Sequence, residues 1–290
     1  MKVLHQFNAR PAMDGDGVNI RRVADFLNTK FDPFLMLDEI KSDDKQDFIG
    51  GFPPHPHRGI ETFTYIRKGG FEHRDQLGNV KAIRAGDVQW MSTGSGVVHS
   101  EMPLADVVDG LHGFQIWLNM PAKDKMRPAI YKDSTDTRNP QIANDSGAVL
   151  RALAGDWQFT KQEQISAPVQ GLAGQGMVAD LMLSKAGCAN IDLSHRRYAG
   201  LYIYQGSLAS IAPTVTEQDE VRYYGEGQYL IVDSQTLLSL QAGEQGAGAL
   251  LFGGQPIEEE IVHMGPFVMN TQAEIHQAIE DYQAGRFGTI

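Results

Sequence analysis

The stretch FPPHPHRGIE, residues 52–61, sets two histidines two positions apart, each preceded by a proline, with an arginine, a glycine and a glutamate behind them. In an extended chain, residues two apart project from one face about 6.6 Å apart at Cα. His55 and His57 therefore point the same way, near enough for both imidazoles to share one ion. Pro54 and Pro56 restrict the backbone around them, so less conformational entropy is lost in holding the rings in place. Proline has no amide hydrogen, which predicts a strand at a sheet edge or strand entry rather than mid-sheet.

A second pair repeats the spacing. In GDVQWMSTGSGVVHSEMP, residues 86–103, His99 and Glu101 again share one face of an extended segment. Two neighbouring strands that each present such a pair supply three neutral nitrogens and one carboxylate oxygen. That set suits a borderline divalent transition ion better than calcium or magnesium, which take mostly oxygen. Iron(II), manganese, nickel, copper and zinc are all admissible. Around an octahedral ion, four protein ligands leave two positions for a chelating substrate, or for a substrate and dioxygen together. Around a tetrahedral zinc they close the site and make it structural.

Outward from these pairs, short apolar segments recur between turn signals, among them ETFTYI, DVQWM, GFQIWLNM, GLYIY, QYLIV and TLLSL. Their lengths and their β-branched and aromatic content read as the strands of an all-β sandwich or barrel. Residues 121–141, PAKDKMRPAIYKDSTDTRNPQ, are polar, hold three prolines and show no steady period, as an interdomain connection would. The expected division is a domain over 1–130, a linker over 131–141 and a domain over 142–290. ETFTYIRKGGF in the first half and GLYIYQGSL in the second each run a strand into a glycine turn, a hint of one fold used twice. The clearest helix is TQAEIHQAIEDYQAG, residues 271–285. It opens with Thr271 and Glu274 at capping-box spacing, ends at Gly285, and carries Ile275, Ala278, Ile279 and Tyr282 in one apolar stripe. His276 lies off that stripe and reads as solvated.

The formal charge of −11, from 36 acidic and 25 basic residues, gives no support to counterion-releasing contact with nucleic acid. The opening MKVLHQFNAR lacks the apolar run of a secretion signal, and no window approaches a membrane-spanning length. The one cysteine, Cys188, suits a reducing compartment. The expectation is a soluble cytoplasmic protein with no nucleic-acid or membrane partner.

HPHRGIE and GDVQWMSTGSGVVHSEMP resemble the two metal motifs of the cupin superfamily, and their wording resembles the pirin family. DPFLMLDE (32–39), HGFQIWLN (112–119) and HMGPFVMNT (263–271) add to the resemblance, which spans nearly the whole chain. It implies a bicupin: two jelly-roll-like β-barrel domains, with a short C-terminal helix and an iron site in the first barrel only. Carried over by position, the ligands fall on His55, His57, His99 and Glu101. Ser92 stands where the general cupin motif has proline, and one extra residue precedes His99, as in pirins. Glu61 is the usual cupin carboxylate, but in regular strand geometry it lies about 13 Å beyond His57. The resemblance ranks Glu101 as the ligand and Glu61 as a pocket acid or a residue behind the ligands.

Phe52, Arg58 and Met91 complete the expected pocket. Phe52 and Met91 are walls or ordinary core, as is Trp90, and Arg58 either orients an anionic substrate or pairs with a carboxylate. His73 and His112 lie in motif-bearing strands and could touch the pocket, whereas His195 in the second half has no partner two residues away. The resemblance implies quercetin 2,3-dioxygenase activity, in which a metal opens a flavonol-like ring with dioxygen and Glu101 or Glu61 acts as base. The expected cofactor is one divalent transition metal, Fe2+ first, with Zn2+, Ni2+, Mn2+ or Cu2+ as alternatives. The competing reading is an iron-binding, redox-sensing regulator that modulates a protein partner, a transcription factor or metabolic enzyme.

Overall fold

The computed structural model of the chain describes residues 1–24, 29–159, 164–211 and 221–290. These gather into two units, residues 10–137 with 257–290 and residues 1–9 with 138–256. The sequence division at 130 and 142 thus differs at both chain ends. The strand Val3–Asn8 pairs with Gln228–Val232, while the helix Gln272–Gln283 packs its Ile275 and Ala278 against Val98, Phe267 and Phe287 within the unit of residues 10–137 and 257–290.

The unit of residues 10–137 and 257–290 holds both histidine motifs. Its strands are β1 (Arg10–Asp14), β2 (Val18–Ala24), β3 (Phe34–Ser42), β4 (Phe52–His57), β5 (Ile60–Lys68), β6 (Gly70–Asp75), β7 (Val80–Arg84), β8 (Val88–Ser92), β9 (Val97–Pro103), β10 (Leu111–Asn119) and β11 (Ile130–Ser134), followed by β12 (Val262–Met264) and β13 (Phe267–Met269) and then by α1 (Gln272–Gln283). A seven-stranded antiparallel sheet runs β11-β8-β5-β10-β3-β2-β1, a four-stranded one runs β4-β9-β6-β7, and β12 pairs with β13 alone. Val18, Ile20, Ile40, Ile66 and Leu111 from the larger sheet share a core with Phe71 and Ile83 from the smaller. The two sheets therefore pack as a sandwich.

The expected barrels are not present: no sheet closes on itself among the described residues. The four-stranded sheet ends at β4, where Pro53, Pro54 and Pro56 have no N–H to offer a further strand. The same prolines put β4 at an edge, as its sequence predicts. In the other unit a nine-stranded sheet runs from Val3–Asn8 to Gln141–Ala143, and these end strands do not pair with each other. No helix among the described residues is long and apolar enough to cross a membrane.

Candidate metal centre

Strands β4 and β9 lie antiparallel with His99 directly opposite His55, and Val97 opposite His57. Alternation then aims His55, His57 and His99 at one point. Their ring centroids stand 4.8 Å (His55–His57), 4.4 Å (His55–His99) and 4.9 Å (His57–His99) apart. One ring nitrogen from each lies within 4.8 Å of the others. A register shift between His99 and Glu101 sets Glu101 opposite Phe52 on β4, and opposite His73 on β6. Glu101, His99 and His73 form a second group under the same 4.8 Å limit, sharing His99 with the first. The protein thus contains a His/Glu cluster capable of holding a metal ion.

Hydrogen bonds separate ligand candidates from supports. Gln89 Nε2 donates to His73 Nδ1 at 2.7 Å, and His73 Nε2 in turn donates to Asp75 Oδ2 at 3.1 Å. A neutral imidazole so engaged has no lone pair left for a metal. His55 Nδ1 lies 2.8 Å from the Pro53 carbonyl, which only accepts, so Nδ1 carries the proton and Nε2 is left as the donor to an ion. His57 and His99 are buried, and neither ring nitrogen of either has a hydrogen-bond partner. Leaving such groups unsatisfied costs about 1–3 kcal/mol each, and an ion would relieve one nitrogen per ring. The residues fit a metal on that test.

The electrostatics agree. Burial, and then the neighbouring His55, hold the pKa of His57 well below the usual histidine range, the nearby Pro266 backbone opposing them least without reaching hydrogen-bond geometry. Burial, and then His55, His57 and His73, do the same to His99. Both rings are accordingly neutral at pH 7, the form that binds metal. Thr64 Oγ1 lies 3.0 Å from Glu101 Oε1 and 2.6 Å from Gln115 Oε1, and its single proton serves one of them at a time. The Trp117 ring meets His57 edge-on at 4.9 Å. Beside the cluster lies a cavity of about 640 Å³, lined in part by His55, His57, Glu101, Phe52 and Trp117. That volume is in the range of small-molecule sites.

Other sequence candidates fall elsewhere. Glu61 shares a strand with Thr64 but sits at odd parity, so it points to the opposite sheet face; Trp90 Nε1 donates to it at 3.1 Å and Arg127 Nη2 at 3.2 Å. Gly59, at φ +80°, turns the chain between β4 and β5, and Glu61 joins neither histidine group. Arg58 Nη1 pairs with Asp281 of α1 at 2.7 Å, its Nε donates to the Ser95 carbonyl at 2.6 Å, and its guanidinium covers Phe287 at 4.6 Å. It anchors the helix and does not line the cavity. Met91 is fully buried and is also absent from the cavity wall. His112 Nε2 donates to Glu39 Oε1 at 2.9 Å, His195 is exposed, and His276 is solvated as expected.

Sequence reading missed a row of polar side chains across the larger sheet. Register sets Gln89 beside Thr64, Thr64 beside Gln115, Gln115 beside Asp38 and Asp38 beside Arg22, on five adjacent strands. Partners so paired share one face. This face carries His73's partner Gln89 at one end and a charged pair at the other. The signal in the sequence was a polar residue set between apolar ones, Thr64 in TFTYI and Gln115 in GFQIW.

Residues 17–118 match the Pirin family and residues 178–288 match the Pirin C-terminal cupin domain. The chain is 46% identical over 281 residues to a Vibrio cholerae protein whose name assigns it provisionally to the quercetin 2,3-dioxygenases, a match covering 97% of this chain and 95% of that one. A Pseudomonas aeruginosa protein with the same provisional name is 38% identical over 284 residues, covering 98% and 96%. The crystal structure of quercetin 2,3-dioxygenase from Acinetobacter baumannii superposes with a TM-score of 0.85 at 28% identity, covering 100% of this chain and 99% of that one.

Proposed function

The chain belongs to the pirin family, and from that premise we propose that it is a metal-dependent dioxygenase of the quercetin 2,3-dioxygenase type, opening a flavonol-like ring with dioxygen. His55, His57 and His99 supply the nitrogens and Glu101 the carboxylate. The observation that carries the reading is the pair of buried rings, His57 and His99, whose nitrogens have no hydrogen-bond partner, His57 lining with His55 and Glu101 a cavity of about 640 Å³. Fe2+ is the ion assigned here, and three imidazoles with one carboxylate also accept Zn2+, Ni2+, Mn2+ or Cu2+.

A divalent ion so held supplies a Lewis acid and a template for a chelating substrate and dioxygen. The chain's own residues do the rest. Trp117 and Phe52 wall the cavity and orient a flat aromatic molecule. Glu101 takes the proton of the hydroxyl brought to the centre, and Thr64 then turns its own proton from Glu101 towards Gln115. Glu61, tied to Trp90 and Arg127, takes no part. The partners are the aromatic substrate and dioxygen. We place the protein in the cytoplasm, since its one cysteine, Cys188, calls for no oxidising compartment.

The test is oxygen uptake by anaerobically iron-loaded protein given quercetin. His57→Ala, checked to be folded, is expected to lose iron and to reduce uptake about 100-fold or more. Iron-loaded wild-type protein that consumes no oxygen, or a mutant that consumes it at the wild-type rate, would sink the proposal.

A further inference from the structure

The cavity has a second polar end. Across the larger sheet, β10 carries Gln115 and Trp117, β3 carries Met36 and Asp38, and β2 carries Arg22, all on the cavity wall. The metal cluster meets this wall at Trp117, against which His57 packs. Arg22 lies two strands away, or about 10 Å at ordinary strand spacing. That is longer than one six-membered ring and suits two or three rings joined in a plane.

Arg22 is held from two sides. Its Nε donates to Asp38 Oδ1 at 2.9 Å and its Nη2 to Asp38 Oδ2 at 2.6 Å, a two-pronged pair. Nη2 also donates to Asp14 Oδ2 at 2.6 Å. Among the described residues Nη1 has no hydrogen-bond partner, although the side chain is only 32% exposed. The turn between β1 and β2 fixes this end against the metal-bearing strand, because Asp16 N–H donates to the Gly51 carbonyl at 2.9 Å, next to Phe52. Gly15 allows the approach: its φ is +57°, and a Cβ there would come within 2.4 Å of that carbonyl. The charged group is thus built into the cavity wall.

We propose that Arg22 and Asp14 recognise a hydroxyl on the substrate ring remote from the metal, Arg22 Nη1 donating to its oxygen and Asp14 accepting its proton. The ligand class is a planar polyhydroxylated aromatic with one chelating oxygen group at the metal end and a phenolic hydroxyl at the other. A purely apolar ring would leave Nη1 desolvated and unpaired. A carboxylate or sulfate there would meet two acidic side chains, so a neutral hydroxyl fits better than an anion. This inference rests on the dioxygenase reading only for the identity of the metal-bound end.

The experiment titrates quercetin, and 3-hydroxyflavone, which keeps only the chelating hydroxyl, into anaerobic iron-loaded protein, and then measures oxygen uptake with each. Wild-type protein is expected to bind quercetin at least about 10-fold more tightly. Arg22→Gln is expected to bring the ratio close to one with iron content unchanged, and Arg22→Lys to restore it in part. The double variant R22Q/D38N leaves no buried carboxylate without its partner, and so separates recognition from folding. A folded double variant that keeps the wild-type preference overturns the inference while leaving the dioxygenase reading intact. Arg22-dependent preference without oxygen uptake upholds the inference and removes that reading. Failure of wild-type protein to bind either flavonol, or to prefer quercetin, overturns the inference as well.

Discussion

Asp38 is a carboxylate under two opposed forces. Burial pushes its pKa up to about 6, while the hydrogen bonds and charge of Arg22 pull it down. Its ordinary value is near 3.9, so between about pH 4 and pH 6 the folded protein holds this proton more firmly than the unfolded chain does. Stability contributed by Asp38 is therefore full below pH 4 and is lost as pH rises to 6, on the order of 2–3 kcal/mol. Urea unfolding at pH 4, 5 and 6 should show this downward component in wild-type protein and not in Asp38→Asn; equal slopes in both would refute it. At this scale the sequence was partly legible. His55, His57, His99 and Glu101 announce themselves because strand alternation turns a spacing of two into a common direction. Arg22 and Asp38 carry no such signature, since their meeting depends on the register between two strands and not on any local spacing. Glu61 misled for a related reason: its distance from His57 was countable, but the sheet face it occupies follows from parity.

Lys125 shows how elements are fastened around the centre. The residue is 1% exposed, and its Nζ donates to the Gly59 carbonyl at 2.7 Å, to Asn119 Oδ1 at 2.8 Å and to the Val268 carbonyl at 2.9 Å. It thereby ties the turn after β4 to the end of β10 and to β13. Gly59 permits the contact, because at φ +80° a Cβ would stand 2.0 Å from the Val268 carbonyl. Lys125→Met keeps the aliphatic stem and strips three acceptors of their donor, at a cost of about 3 kcal/mol or more. Denaturant titration measures this, and a change under 1 kcal/mol would contradict it. Elements themselves were the most legible feature. Strands β5, β8 and β10 fall where ETFTYI, DVQWM and GFQIWLNM place them, and α1 is capped by Thr271, whose Oγ1 accepts from the Glu274 N–H at 3.2 Å. The apolar stripe of α1 is less complete than its period suggests. Ile275 and Ala278 are buried, while Tyr282 stays 40% exposed, its ring set against Phe267 and Phe287 at the end of the helix.

Whole-molecule architecture was the least legible. Two all-β units could be read from strand-like segments on either side of a polar stretch, but whether a sheet closes is decided by which edges meet, and local pattern does not encode that. The proline-bearing β4 blocks one such meeting. The assignment of residues 257–290 to the unit formed by residues 10–137 was equally out of reach. Without these residues the cavity would lack His263, Gly265 and Pro266 from its wall, and Arg58 would lose Asp281. A chain ending at residue 256 is expected to retain little iron when purified in parallel with the intact protein; equal metal content would show that the last segment is dispensable.

That return of the chain end also sets a biosynthetic order. The histidines are translated before the hairpin β12–β13, whose His263, Gly265 and Pro266 complete the cavity wall beside them. Nascent chains arrested before residue 257 should therefore expose a cavity whose wall is unfinished.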